Sequence, residues 1–411
     1  MMEDGIKRIP NEILVNIFHI GHRSTDNYSF LISVTHVCRR FRTLALQEST
    51  LWTRINAGRS QTSDKILALI GRSRQQDLDV TFINGGCEIL FGMRTFYDTF
   101  QASSLRWTSL HTGSDSFQYI PVDLPLSRVR RLSFVKESTM EDVHNIPWML
   151  PGLQIFHGIN ILPKFCYATP LLTICSLSFS EWYLDASGFM TCLSHLLCIE
   201  DLRLVFQDTT LSDDGFGADA LLTMPAVQTF SVTFGDEGGT RLVKALLSRL
   251  VMTNLSRLII CSKDAIDASF VLEPLRVSSS GYFRVFGSPR EIDVEILSTE
   301  GVDITPLLLE PLQFVRHLSI IIPHAKFIKT LASHQGGNED PREKLGSLQS
   351  VRFINCHRIH EKQVENLADR LLENVSGRGL QLLEIFSCKG ISKRFLMDMS
   401  HKLGDKISWR M

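Results

Sequence analysis

The sequence predicts an α/β chain: a small helical unit at the front, then a long domain in which short strands alternate with helices and therefore lie parallel in one sheet. Three observations carry this prediction. Residues 6–20 (IKRIPNEILVNIFHI) and 30–45 (FLISVTHVCRRFRTLA) place apolar groups at helical spacing. From residue 129 onward, short apolar-anchored strands recur at intervals of some twenty to thirty-odd residues. Between them, residues 239–253, 326–334, 361–375 and 393–403 have helical apolar spacing.

In the front unit Pro10 suits a first helical turn, where its missing N–H costs nothing, and Glu12 suits the positive end of the helix dipole. Ile13, Leu14, Ile17 and Phe18 share one face. Leu31, Val34, Cys38, Phe41 and Ala45 form the apolar line of the second stretch, with Arg39, Arg40 and Arg42 off it. Leu51 and Trp52 follow as large apolar groups that need a partner surface. A unit of about 45 residues is marginal as a free-standing core, so its apolar surface is expected to pack on something else.

Composition narrows the function classes. Forty-three basic and 44 acidic residues leave a net charge of -1 on 411 residues, so no global field recruits nucleic acid or an anionic membrane surface, and protein partners are the expectation. Nine cysteines without a C-x-x-C pair disfavour a disulfide framework and a zinc ribbon. The first residues, MMEDGIKRIPNE, lack a signal-peptide core, and no run of about 18 apolar residues occurs. The expected compartment is cytoplasmic or nuclear, with no membrane association and with the sequons at Asn27, Asn254 and Asn374 unglycosylated.

The order Ile9-Pro10, Glu12-Ile13-Leu14, Ile17-Phe18, Val37-Cys38-Arg39-Arg40-Phe41, Leu44-Ala45 and Leu51-Trp52 resembles the F-box, which docks on a Skp-type adaptor of cullin-based ubiquitin ligases. Ile9 stands where the family usually has Leu and Phe41 where it has Trp; both keep apolar bulk. The resemblance implies an adaptor-binding set of Pro10, Ile13, Leu14, Ile17, Val37, Cys38, Phe41 and Trp52.

The template L-x-x-L-x-L fits at Val129/Leu132/Phe134, Leu153/Phe156/Gly158, Ile174/Leu177/Phe179, Ile199/Leu202/Leu204, Val227/Phe230/Val232 and Leu255/Leu258/Ile260. It continues at Ile292/Val294, Val315/Leu318/Ile320, Leu348/Val351/Phe353 and Leu380/Leu383/Ile385. This resembles an irregular leucine-rich-repeat solenoid with a curved parallel sheet, and Cys261, Cys356 and Cys388, read as following strands, resemble the packing thiols of its cysteine-containing class. An F-box before loosely repeating strands is similar to a large fungal set of F-box proteins. The expected organisation is residues 1–55 F-box, 56–128 joining strand–helix units, and 129–411 a substrate-binding repeat domain, with insertions at 206–217, 278–290 and 333–346.

Enzyme signals are weak. Eight residues separate GFGADA at 215–220 from Phe206, the last apolar residue of its strand, too many for a dinucleotide turn. His357 and His360 beside Cys356 lack a second ligand cluster, and His19 and His22 read as loop-flanking groups. No catalytic residue, metal or cofactor is expected. The resemblance implies a substrate-recognition subunit of a Skp-cullin-F-box type ubiquitin ligase, with an adaptor-binding scaffold lacking a ligase role as the alternative and an unfamiliar enzyme as a third reading. Residues flanking the strand anchors are expected on the concave face as the substrate surface: Arg131, Asp201, Arg203, Arg257, Ile259, Asp293, His317, Arg352, Leu382 and Glu384.

Overall fold

A computed structural model of the chain describes residues 8–25, 28–57, 63–82, 101–113, 120–136, 143–181, 183–211, 221–263, 289–296, 315–323, 348–372 and 380–411. The chain forms two compact units, Met1–Leu172 and Thr173–Met411.

The first unit opens with α1 (Asn11–Arg23), α2 (Ser29–Val37), α3 (Arg39–Gln47) and a 3-10 turn at Ser49–Trp52. Pro10 caps α1 with extended backbone, and Cys38, also extended, separates α2 from α3. The small core that results holds Leu14, Phe18, Leu31, Val34, Ala45, Leu51 and Trp52. Trp52 Nε1 donates to the Ala45 carbonyl at 2.7 Å, which satisfies the one polar atom of a buried ring. Phe18 meets Phe41 edge-on at 5.2 Å.

There follow β1 (Arg54–Ala57), α4 (Ser63–Ser73), β2 (Leu78–Phe82), β3 (Trp107–Gly113), β4 (Arg131–Val135), β5 (Val143–Ile146), β6 (Ile155–Ile159) and β7 (Leu162–Phe165). Strands β1, β2, β3, β4 and β6 pair in that order, all parallel, and β5 pairs with β7 separately. The guanidinium of Arg72 on α4 stands 4.6 Å over the Trp52 ring.

The second unit comprises β8 (Ile174–Ser180), β9 (Tyr183–Leu184), α5 (Ala186–Ser194), β10 (Asp201–Gln207), β11 (Thr210–Leu211), β12 (Leu222–Thr223), β13 (Thr229–Phe234), α6 (Glu237–Leu247), β14 (Leu250–Val251) and β15 (Arg257–Ser262). It ends with β16 (Glu291–Ile296), β17 (His317–Ile321), β18 (Ser350–Ile354), α7 (Glu361–Leu372), β19 (Leu382–Phe386), α8 (Lys393–Leu403) and β20 (Ile407–Arg410). Strands β8, β10, β13, β15, β16, β17, β18, β19 and β20 form a parallel ladder in that order, with short pairs β9–β11 and β12–β14 beside it. The α/β architecture with a parallel sheet is therefore as the sequence predicts.

Register locks one row of anchors across this ladder: Cys175, Leu202, Phe230, Leu258, Ile292, Leu318, Val351, Leu383 and Ile407, each buried. The first member corrects the sequence reading, which puts Leu177 there: the structure places Cys175 opposite Leu202 and buries Leu172 as the preceding anchor. A buried thiol behaves as a small hydrophobe, and burial pushes that of Cys175 well up. Cys356 and Cys388 follow their strands and donate to backbone carbonyls of the preceding strand, Ile320 and Phe353. Cys261 differs: it stands three residues past its anchor Leu258, within β15 on the half-exposed face, whereas Cys356 and Cys388 stand five past Val351 and Leu383, beyond the ends of their strands. Phe179, Phe206 and Phe189 pack as one aromatic cluster, the first two stacked at 5.7 Å.

Asn160, Glu181, Asp208, Asn355 and Ser387, directly after β6, β8, β10, β18 and β19, all have φ between 50° and 55°. Three of them, Glu181, Asn355 and Ser387, donate their N–H to the end of the next strand in the ladder at 2.8–2.9 Å. The αL residue thus ends one strand while staying in register with the next. Asp185 and Ser392 cap helices that follow such turns, and Asp236 caps α6. The helix expected at 326–334, the motif at 215–220, the insertion at 333–346 and, apart from Pro289 and Arg290, the insertion at 278–290 lie outside the described residues. The insertion expected at 206–217 is corrected in its first part: Phe206 and Gln207 end β10 and Thr210–Leu211 form β11, while 212–217 lie outside the described residues.

A β-branched side chain at an αL position is strained by about 1–2 kcal/mol, whereas glycine is not. Asn355→Val should lower the thermal unfolding midpoint, and Asn355→Gly should leave it within about 0.5 kcal/mol of the parent. An equal loss for both would mean that the Asn side chain, not the backbone angle, matters there.

Candidate protein-binding surfaces

The apolar residues of the N-terminal helices divide into two sets. Leu14 and Trp52, 2% and 1% exposed, belong to the interior. They are thus not available to a partner, which corrects their inclusion among the adaptor-contacting residues: both are already used by the fold. Phe41 is half-buried against Phe18. Ile13, Ile17 and Ile20 are 48%, 47% and 70% exposed, and their spacing of four and three puts them on one face of α1, with exposed Pro10 leading in. Val37, at 60%, and Cys38 are exposed at the α2–α3 junction. Ile20 and Ile32 add exposed apolar surface that sequence reasoning missed, although the helical continuation of Ile13 and Ile17 points to Ile20. Arg40 is no free edge residue: it donates to Asn11 Oδ1 at 2.7 Å and to the Ile9 carbonyl, tying α3 to the start of α1.

His22 is buried at the end of α1, stacked on Tyr28 at 5.5 Å, and Tyr28 is stacked on Trp52 at 6.2 Å. Burial first, then the nearby Arg54 charge, then His19, hold its pKa down at about 4. Arg54 donates to the carbonyls of His22 at 2.6 Å and Thr25 at 3.1 Å, offsetting the negative end of α1. Reading His22 as a solvated loop group is therefore corrected.

The second surface is the half-exposed face of the ladders. Every residue expected there (Arg131, Asp201, Arg203, Arg257, Ile259, Asp293, His317, Arg352, Leu382 and Glu384) alternates with buried anchors and points away from the core. The shift from Leu177 to Cys175 leaves this parity intact because it is two residues, so Ser176 and Ser178 stay outward. The charges do not stand alone. Arg203 pairs with Asp201 at 2.6 Å on its own strand. Arg257 crosses one strand to Asp293 at 2.6 Å and approaches Glu291 at 3.7 Å. Arg352 reaches Glu384 at 2.8 Å and lies over the Phe386 ring. His317 Nδ1 and Ser350 Oγ are 2.8 Å apart. Hydrogen bonds to the aspartates raise the pKa of Arg203 and Arg257, so both cations are fixed.

Sequence reasoning stopped two residues short on each strand. A further outward row, Val205, Thr233, Cys261, Glu295, Ile321, Ile354, Phe386 and Arg410, is aligned across the ladder from β10 to β20. Ile321, Ile354 and Phe386 are adjacent in it and half-exposed. Among the described residues no group of three His, Cys, Asp or Glu side chains is placed to hold a metal ion.

A scan of family models matches residues 6–57 to the F-box-like family. No curated protein matches the chain.

Two predictions belong here. Unfolded His22 takes up a proton near pH 6.5 and the folded residue only near 4, so the stability tied to its neutral form is complete above pH 6.5 and is lost as pH falls toward 4. Between pH 7.5 and 5 the parent should lose about 1–2 kcal/mol relative to His22→Gln, read as the difference between their unfolding curves. In the second, a double-mutant cycle of Arg257→Gln with Asp293→Asn should give a coupling of no more than about 1 kcal/mol, since both partners are partly solvated.

Proposed function

We propose, from the F-box-like domain at residues 6–57, that the chain is the substrate-recognition subunit of a Skp-cullin-F-box type ubiquitin ligase. F-box domains typically bind a Skp-type adaptor, and proteins carrying them are generally non-catalytic subunits of ubiquitin ligase complexes. The observation that carries the reading is the coincidence of that family match with an apolar stripe left outside a completed core: Pro10, Ile13, Ile17 and Ile20 on α1, with Val37 and Cys38 beside the α2–α3 break. Clustered exposed apolar groups on otherwise folded helices mark a protein interface.

The strand face takes the protein substrate. Its arginines arrive already oriented by their acidic neighbours, which favours selective recognition over general attraction of anions. Repetition of short strands supports a leucine-rich-repeat-like organisation, with the anchor row playing the part of the consensus leucines. The mechanism is proximity: tethering brings a substrate lysine to a charged conjugating enzyme bound elsewhere on the ligase, so attack becomes nearly intramolecular. The proposed compartment is the cytoplasm or the nucleus. No helix among the described residues is long and apolar enough to cross a membrane.

Affinity purification of the tagged chain tests the reading: adaptor and cullin together support it, and adaptor without cullin points to a scaffold. Ile17→Asp should abolish adaptor capture while circular dichroism and melting stay unchanged, because the desolvated carboxylate has no partner in the interface. Leu14→Asp should instead melt the N-terminal helices. On the other surface, Arg203→Gln, Arg257→Gln and Arg352→Gln together should weaken substrate capture at least tenfold and leave adaptor capture intact. Loss of adaptor binding in that triple variant would merge the two surfaces and sink their separation.

A further inference from the structure

Helix α1 starts without a side-chain cap. Its N-cap position is Pro10, whose side chain accepts no backbone N–H, in contrast to Asp185, Asp236 and Ser392 at the starts of α5, α6 and α8. An uncapped first turn frays readily, because its leading amides have no intrahelical acceptor. Yet the apolar stripe begins in that turn, with Pro10 and Ile13 both exposed. Something other than a cap has to hold it.

That role falls to Arg40 on α3. Its Nε and Nη2 donate to Asn11 Oδ1 at 3.0 and 2.7 Å, and Nη2 also donates to the Ile9 carbonyl. One planar group thus grips the first residue of α1 and the residue that leads into it, on either side of Pro10. A guanidinium suits this task because its donors lie in a rigid fork. Helix electrostatics do not explain the placement: a cation near the positive end of the α1 dipole is disfavoured, so hydrogen bonding and not charge keeps Arg40 there.

We propose that Arg40 is the positioning residue of the adaptor-docking surface, setting Pro10 and Ile13 on α1 against Val37 and Cys38 at the α2–α3 break. The inference rests on the ubiquitin-ligase reading above and deepens it. The docking surface comes from two separate segments, and a partner has to touch both at once. Cys38 stands two residues before Arg40, so the bonds from Arg40 to Asn11 and Ile9 fix the separation of the two parts. Phe41 against Phe18, at 5.2 Å, holds α3 to α1 two turns further along, where the core is already closed. The first turn depends on Arg40 instead. A surface ordered before docking loses less entropy when the partner arrives.

The test uses the full chain and a purified Skp-type adaptor as the probe. Arg40→Gln should weaken adaptor binding about tenfold, because the released first turn must be ordered on binding, while the thermal unfolding midpoint stays at the parent's value. In the free chain the Leu14 amide, which donates to the Pro10 carbonyl at 3.2 Å, should exchange with solvent faster in Arg40→Gln, and the Phe18 amide should not. A general loss of stability would speed both. Asn11→Ala should weaken binding by less and add nothing on top of Arg40→Gln. Arg40→Lys keeps the charge without the fork and should recover little of the loss. Parent-like binding by Arg40→Gln or Arg40→Lys overturns the inference, as do additive losses from Arg40 and Asn11. Weaker binding with unchanged Leu14 exchange also overturns it, since Arg40 would then be a direct contact. A parent chain that does not bind the adaptor overturns the ubiquitin-ligase reading and this inference with it, whereas the other results overturn the inference alone.

Discussion

One constraint organises the second unit: no strand of the ladder can bury its own apolar side without its neighbours. Each contributes two or three anchors, and those anchors become a core only when stacked in register with the next strand, as the row from Cys175 to Ile407 shows. Parallel pairing follows from the helices and turns that return the chain to the same edge. The αL residues at the strand ends follow too, since Glu181, Asn355 and Ser387 each release one strand and still bond to the end of the next. Interval lengths between strands then matter little. The 32 residues separating Val351 from Leu383 and the 28 separating Phe230 from Leu258 produce the same step of the ladder.

This explains what the sequence shows plainly and what it hides. Period-two alternation is a property of each strand alone, so the outward positions from Arg131 to Glu384 are legible without knowing any neighbour. Which residue aligns with which is a property of pairs. The template match at Leu177 fails there because Cys175, a residue no leucine template admits, fills the anchor, and parity survives only because the error is even. Cys261 misleads for the related reason that strand ends are not written in the apolar pattern.

The N-terminal helices show a different kind of limit. A motif tells which apolar positions matter and not whether they matter inside or outside. Leu14 and Ile17 share the helical pattern, yet the first closes the core under α2 and the second is left in solvent. Burial of Trp52 depends on Ala45, Tyr28 and Arg72, whose positions come from three different segments. His22 is the extreme case, since its neighbourhood is assembled by a stack from Tyr28 and a charge from Arg54 that no local window contains.

The two surfaces also obey opposite rules. The α1 stripe is apolar and uncompensated, so it gains free energy whenever a partner covers it and depends little on orientation beyond shape. The strand face is electrostatically closed on itself: Arg203, Arg257 and Arg352 each hold a carboxylate, so a partner must match those pairs as pairs or pay to separate them. An apolar stripe on α1 and paired charges on the strand face are consistent with the bridging role proposed above. Ile321, Ile354 and Phe386 lie beside the polar pairs and give the strand face the apolar area that such recognition also requires.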